Sequence, residues 1–122
     1  MATEMPKEAD NLVRSLEIAD SLGVNIASIS LGYAKFDDTT WNYQYSQLDG
    51  QSLRASKAAL IAARKGMLVV VAAGNEGNND WKYISSPADA DSIITVGAVD
   101  FQANIAPFSS IGPTADGRIK PD

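Results

Sequence analysis

Asn75 stands in Gly74-Asn75-Glu76-Gly77, directly after the apolar run Met67-Leu68-Val69-Val70-Val71-Ala72-Ala73. A short apolar strand that stops at glycines delivers one polar side chain to the edge of a buried sheet. In open α/β sheets, ligands bind at the carboxyl ends of the strands, so Asn75 is the first candidate for chemistry. Much else is excluded. The chain contains no histidine, and Ser30, Ser85, Ser86, Ser109 and Ser110 therefore lack the base that a nucleophilic serine needs. It contains no cysteine, which removes disulfides, thiolate chemistry and, together with the missing histidine, the usual zinc ligands. Asp37 and Asp38 read as a solvated turn. Asp80, Asp89, Asp91 and Asp100 lack the spacing of a calcium loop, and no metal site is assigned. Gly74-x-x-Gly77 would serve a dinucleotide only if a helix opened on the glycines, and residues 78–86 do not read as one.

The elements that must position Asn75 are legible from periodicity. Leu12, Leu16 and Ala19 fall at i, i+4 and i+7, with Val13 and Leu22 widening the stripe, which predicts a helix over 8–22. Glu8 and Asp10 suit its first turn and Gly23 its carboxyl cap. Residues 24–31 are rich in β-branched side chains and read as a strand. Residues 52–65 read as a second helix: Leu53, Leu60 and Ile61 supply bulk, Ala55, Ala59, Ala62 and Ala63 allow close packing, and Gly66 follows as the cap. Residues 67–73 are apolar throughout, as in a parallel strand covered on both faces. Residues 93–99 form a third strand. Helix, strand, helix, strand, strand implies right-handed crossovers and an α/β sheet.

Two long loops, 33–51 and 75–91, leave the same strand edge. The first carries Tyr33, Phe36, Trp41, Tyr43 and Tyr45; the second carries Trp81, Tyr83 and Pro87. Loops longer than about 12–15 residues in a compact domain are often functional. These two would wall a cleft, or their aromatics would simply pack the loops down; the sequence is compatible with both.

At 122 residues, one domain is the natural expectation. The net charge of −5 argues against nucleic acid, whose phosphates demand basic patches. No apolar run approaches the roughly 20 residues that cross a bilayer, and no signal-peptide pattern opens the chain.

Three segments resemble one family. They are Ile29-Ser30-Leu31-Gly32; Val71-Ala72-Ala73-Gly74-Asn75-Glu76-Gly77; and Ile94-Thr95-Val96-Gly97-Ala98-Val99-Asp100, followed by Phe108-Ser109-Ser110 and Gly112-Pro113. Their order and spacing resemble the middle of a subtilisin-like serine protease domain (subtilase, peptidase S8), between the triad histidine and the nucleophilic serine. The resemblance runs from about residue 8 to Asp122. It implies a three-layer αβα fold with a mostly parallel sheet, of which residues 1–122 are a central, partial portion. It further implies that Asn75 is the oxyanion-hole donor. Its amide donates a hydrogen bond without adding a titrating charge, and losing such a donor costs about 10²–10³-fold in turnover, a value measured on subtilisin itself. Ser30, Leu31 and Gly32 would be the strand to which an extended substrate adds, and Ala72, Ala73 and Gly74 would line the pocket for the side chain before the scissile bond. The family commonly has a second glycine where this chain has Tyr33, so Tyr33 joins the candidate substrate-binding residues and bears on the width of that pocket.

The triad segments are missing: there is no Asp-Ser/Thr-Gly context after an early strand and no Gly-Thr-Ser segment. The expectation is therefore a portion of an endopeptidase that acts on polypeptides through an acyl-enzyme, inert alone, with no cofactor of its own and calcium conceivable only in the full family domain. The family implies export or a cell-envelope location. A three-stranded parallel sheet would leave an edge and a face uncovered, so self-association is expected. The alternative is a peptide-binding or interaction module that keeps the cleft without the chemistry.

Overall fold

The structure, a computed structural model, describes residues 5–122. Helix α1 spans Pro6–Ser21. It begins ahead of the predicted start because Pro6 occupies its first turn, where a missing N–H costs nothing. Ala9, Leu12 and Leu16 form its buried stripe. Gly23, at φ +75°, ends it, with the Gly23 and Val24 N–H groups donating to the carbonyls of Asp20 and Ala19. Helix α2 spans Arg54–Arg64 and buries Ala55, Ser56, Ala59, Leu60 and Ala62. The two helices lie side by side and are bridged at their rims by Arg54–Asp10 at 2.9 Å and by Lys65–Asp20. Both pairs are largely exposed, so each contributes at most a few tenths to about 1 kcal/mol.

Strands β1 (Ile26–Ile29), β2 (Leu68–Ala72) and β3 (Ile94–Val96) form one parallel sheet in the order β1-β2-β3. Ile26 lies opposite Leu68 and Ile29 opposite Val71; Val70 lies opposite Ile94 and Ala72 opposite Val96. All three expected strands are present and shorter than the residue types suggested. The shortening of β3 has a visible cause. After Val96 the chain leaves the ladder, and the Ala98 N–H donates to Ser109 Oγ at 3.0 Å instead. Val99 then bridges Ile105 in an antiparallel turn closed by the Asp100 side chain, which accepts from the N–H groups of Gln102 and Asn104.

Alternation along the strands sorts side chains onto two unlike faces. Ile29, Val69, Val71 and Thr95 point beneath the helices into a core completed by Phe36, Ile84, Ala88 and Ala90. On the other face Ile26, Leu68, Ile94 and Val96 remain 43–61% exposed. Helices cover one face only, so the described residues supply two layers of the expected αβα arrangement. The β2–β3 crossover, 73–93, contains no α-helix; instead, Ile84, Ala88 and Ala90 pack into the core on the helix side.

Candidate functional site

The carboxyl end of β2 brings most of the candidate residues together. Ser30, Ala72, Ala73, Gly74 and Asn75 line one groove of about 460 Å³, with Ser28, Ile29, Val70, Val96, Gly97 and Ala98 completing it. The groove opens on the uncovered sheet face. Ala73 is buried, and its N–H donates to the Val96 carbonyl at 2.9 Å, so it extends the β2–β3 ladder past the last strand residue. Gly74 has φ +114°, a conformation that L side chains rarely adopt. The turn at Gly74 carries Asn75 out to an exposed position. No hydrogen bond among the described residues engages the Asn75 side chain, so its amide protons are available to a ligand. Glu76 is occupied otherwise, its carboxylate accepting from Asn79 Nδ2 at 2.5 Å.

The other candidates are placed elsewhere. Leu31 is exposed at the β1 edge of the sheet, in a separate depression with Leu12, Ser15 and Ala19 of α1. Gly32 backs onto Ser85: a Cβ at Gly32 would lie 3.1 Å from the Ser85 Cβ. Tyr33 does not line the groove. It is buried, its ring stacks 6.5 Å from Phe36, and its hydroxyl donates to the Glu8 carbonyl at 3.2 Å. Its backbone pairs with Ser86 in both directions, N–H to carbonyl at 2.8 Å and carbonyl from N–H at 3.1 Å. Tyr33 thus anchors the end of the β1 segment and leaves the groove's width to smaller residues. Its neighbours Phe36 and Tyr43 meet edge to face at 5.2 Å, so this part of the 33–51 loop packs down rather than walling a cleft.

Ser85 is a residue that sequence reasoning passed over except as a rejected nucleophile. It sits where the two candidate segments meet, against Gly32 on one side and with its Oγ 3.5 Å from where a Gly74 Cβ would lie on the other. Nothing local marks it, because Gly32, Gly74 and Ser85 are brought together only by the β2–β3 crossover.

Below this junction lies a buried polar relay. Asp89 is fully buried; its carboxylate accepts from the Gly50 N–H at 2.8 Å and from Ser56 Oγ at 2.5 Å. Ser56 Oγ in turn lies 2.6 Å from Ser86 Oγ. Burial pushes the Asp89 carboxyl above the ordinary carboxylate range, partly offset by the hydrogen bonds from Ser56 and Gly50. The relay connects α2, the 48–50 turn and the loop that pairs with Tyr33. Asp89 is thereby committed to structure. Among the described residues, no three His, Cys, Asp or Glu side chains are placed to hold a metal ion.

The family model described as the Subtilase family matches residues 3–122. The chain belongs to the subtilase family. Among similar subtilases, the serine protease AprX of Bacillus subtilis (strain 168) is 39% identical over 106 residues, covering 81% of this chain and 22% of that protein. Subtilisin DY of Bacillus licheniformis is 34% identical over 102 residues, covering 83% of this chain and 32% of that protein. The chain therefore spans a third or less of the length of these relatives. Solved structures agree on the fold. The self-cleaved protease domain of PatA superposes at TM-score 0.65 with 27% identity, over 87% of this chain and 35% of that one. The nisin leader peptidase NisP from Lactococcus lactis superposes at 0.59 with 26% identity, over 85% of this chain and 34% of that one. No helix among the described residues is long and apolar enough to cross a membrane.

Proposed function

We propose that this subtilase segment supplies the oxyanion donor and part of the substrate cleft of a serine endopeptidase whose triad residues lie on other segments of a longer, exported or envelope-located protein. The observation that carries this reading is the state of Asn75: an exposed amide with no internal partner, at the carboxyl end of the central strand, flanked by the Gly74 carbonyl and the Glu76 N–H, both of which are bonded to Ser110. When a serine attacks a peptide carbonyl, negative charge develops on the oxygen. A fixed, neutral N–H donor stabilises that charge without rearranging. Ala72, Ala73 and Gly74 leave room beside it for the substrate side chain before the scissile bond, and Ser85 closes the space between Gly74 and Gly32. Ser30 to Gly32 continue an edge strand, to which an extended polypeptide can add by main-chain hydrogen bonds.

The chain on its own has no base and no nucleophile for this chemistry, so it is expected to be inert. The test is digestion of casein by this chain and by the longer reading frame that contains it. Hydrolysis by the longer protein alone supports the reading. A longer frame without Asp, His and Gly-Thr-Ser segments, together with no hydrolysis by either form, would replace it with a non-catalytic peptide-binding module.

A further inference from the structure

Residues 108–110 reach the carboxyl ends of β2 and β3 at the same time. Ser110 is fully buried. Its N–H donates to the Gly74 carbonyl at 3.0 Å, and its Oγ accepts from the Glu76 N–H at 3.0 Å. One residue on, the Gly77 N–H donates to the Phe108 carbonyl at 2.9 Å. The Gly74 carbonyl belongs to the peptide plane that precedes Asn75, and the Glu76 N–H to the plane that follows it. A residue that grips both planes fixes φ and ψ of Asn75, and with them the direction of its Cα–Cβ bond. The approach is close enough to exclude a side chain at position 74, where a Cβ would lie 2.8 Å from Ser110 Oγ.

We propose that Ser110 is a positioning residue that sets the aim of the Asn75 amide; this rests on the reading of Asn75 as the oxyanion donor. The physical requirement is strict. A donor stabilises developing charge only when it is already in place, and a misplacement of about 1 Å can cost about 10²-fold in rate. The Asn75 side chain has no partner to hold it, so its backbone must. Ser110→Ala keeps the backbone bond to Gly74 and removes the acceptor for the Glu76 N–H, which frees the second peptide plane.

The experiment is a double-mutant cycle in the longer protein, with kcat, KM and the melting temperature read for Ser110→Ala, Asn75→Ala and the pair. Ser110→Ala is expected to lower kcat by roughly 10–10²-fold with KM nearly unchanged, and to cause no further loss once Asn75 is alanine. Ser110→Cys, which retains a weak sulfur acceptor, is expected to fall between, and it carries the same cycle if the alanine variant does not fold. An equal loss from the Ser110 substitution in both backgrounds would overturn the proposal, because the serine would then act through general structure. An unchanged kcat in Ser110→Ala, with Asn75→Ala impaired, would also overturn it. A fully active Asn75→Ala would remove the oxyanion reading itself, and this proposal with it.

Discussion

On the helix side of the sheet, Ile29, Val69, Val71 and Thr95 are buried beneath α1 and α2; on the other side Ile26, Leu68, Ile94 and Val96 face solvent, although they are no less apolar. The same strands produce both faces. The residue types on the open face are those of a strand covered twice, as parallel strands normally are. The groove that holds Asn75 opens on this open side. The helix face holds the buried core of the segment, and the open face holds the groove proposed to carry its chemistry, so substitutions on the two should separate stability from function.

The largest expected contrast is between matched apolar truncations. Leu16→Ala, in the core, should lower unfolding stability by about 2–5 kcal/mol, whereas Ile94→Ala, on the open face, should stay within about 0.5 kcal/mol. Urea denaturation of this chain measures both, and equal losses would mean that the open face is already covered in solution.

A smaller effect is expected where the two sides join. Gly74→Ala forces a Cβ onto Ser110 at a φ that favours glycine, for a cost of about 1–3 kcal/mol that thermal melting should register.

The buried carboxyl gives a pH signature. Asp89 has a raised folded-state pKa. The folded state therefore holds its proton to higher pH than the unfolded chain does, and stability contributed by Asp89 is present at low pH and lost as pH rises through the raised value. Asp89→Asn should flatten this descent, which urea midpoints taken between about pH 4 and 7 would resolve. A profile identical to wild type would show that Asp89 does not ionise in that window.

Self-association is the mildest effect to detect. We expect the open face to pair copies of this chain at high concentration, and Val96→Lys to return them toward monomer in light scattering. A monodisperse wild-type chain would break the comparison from the other side.

The legible part of this fold was whatever rested on local periodicity. The α1 stripe, the alanine face of α2 and the apolar β2 run could be read because each is set by neighbours in sequence. Strand ends were read long because β-branched residues continue past the point where partners do; β3 stops where Ser109 takes the Ala98 N–H. Within the site, Asn75, Ala72, Ala73, Gly74 and Ser30 could be recognised from their motifs and do share a groove. Tyr33, Ser85 and Ser110 could not be placed. Tyr33 turns inward because it pairs with Ser86, and Ser85 and Ser110 meet Gly74 across crossovers that leave no periodic trace.

The most direct test of the account is turnover by Asn75→Ala in the longer protein, with its melting temperature measured alongside. The kcat is expected to fall by about 10²–10³-fold, the range known for loss of one such donor in subtilisin, with melting unchanged because the exposed amide supports nothing internal. Undiminished turnover in a folded Asn75→Ala protein would contradict it.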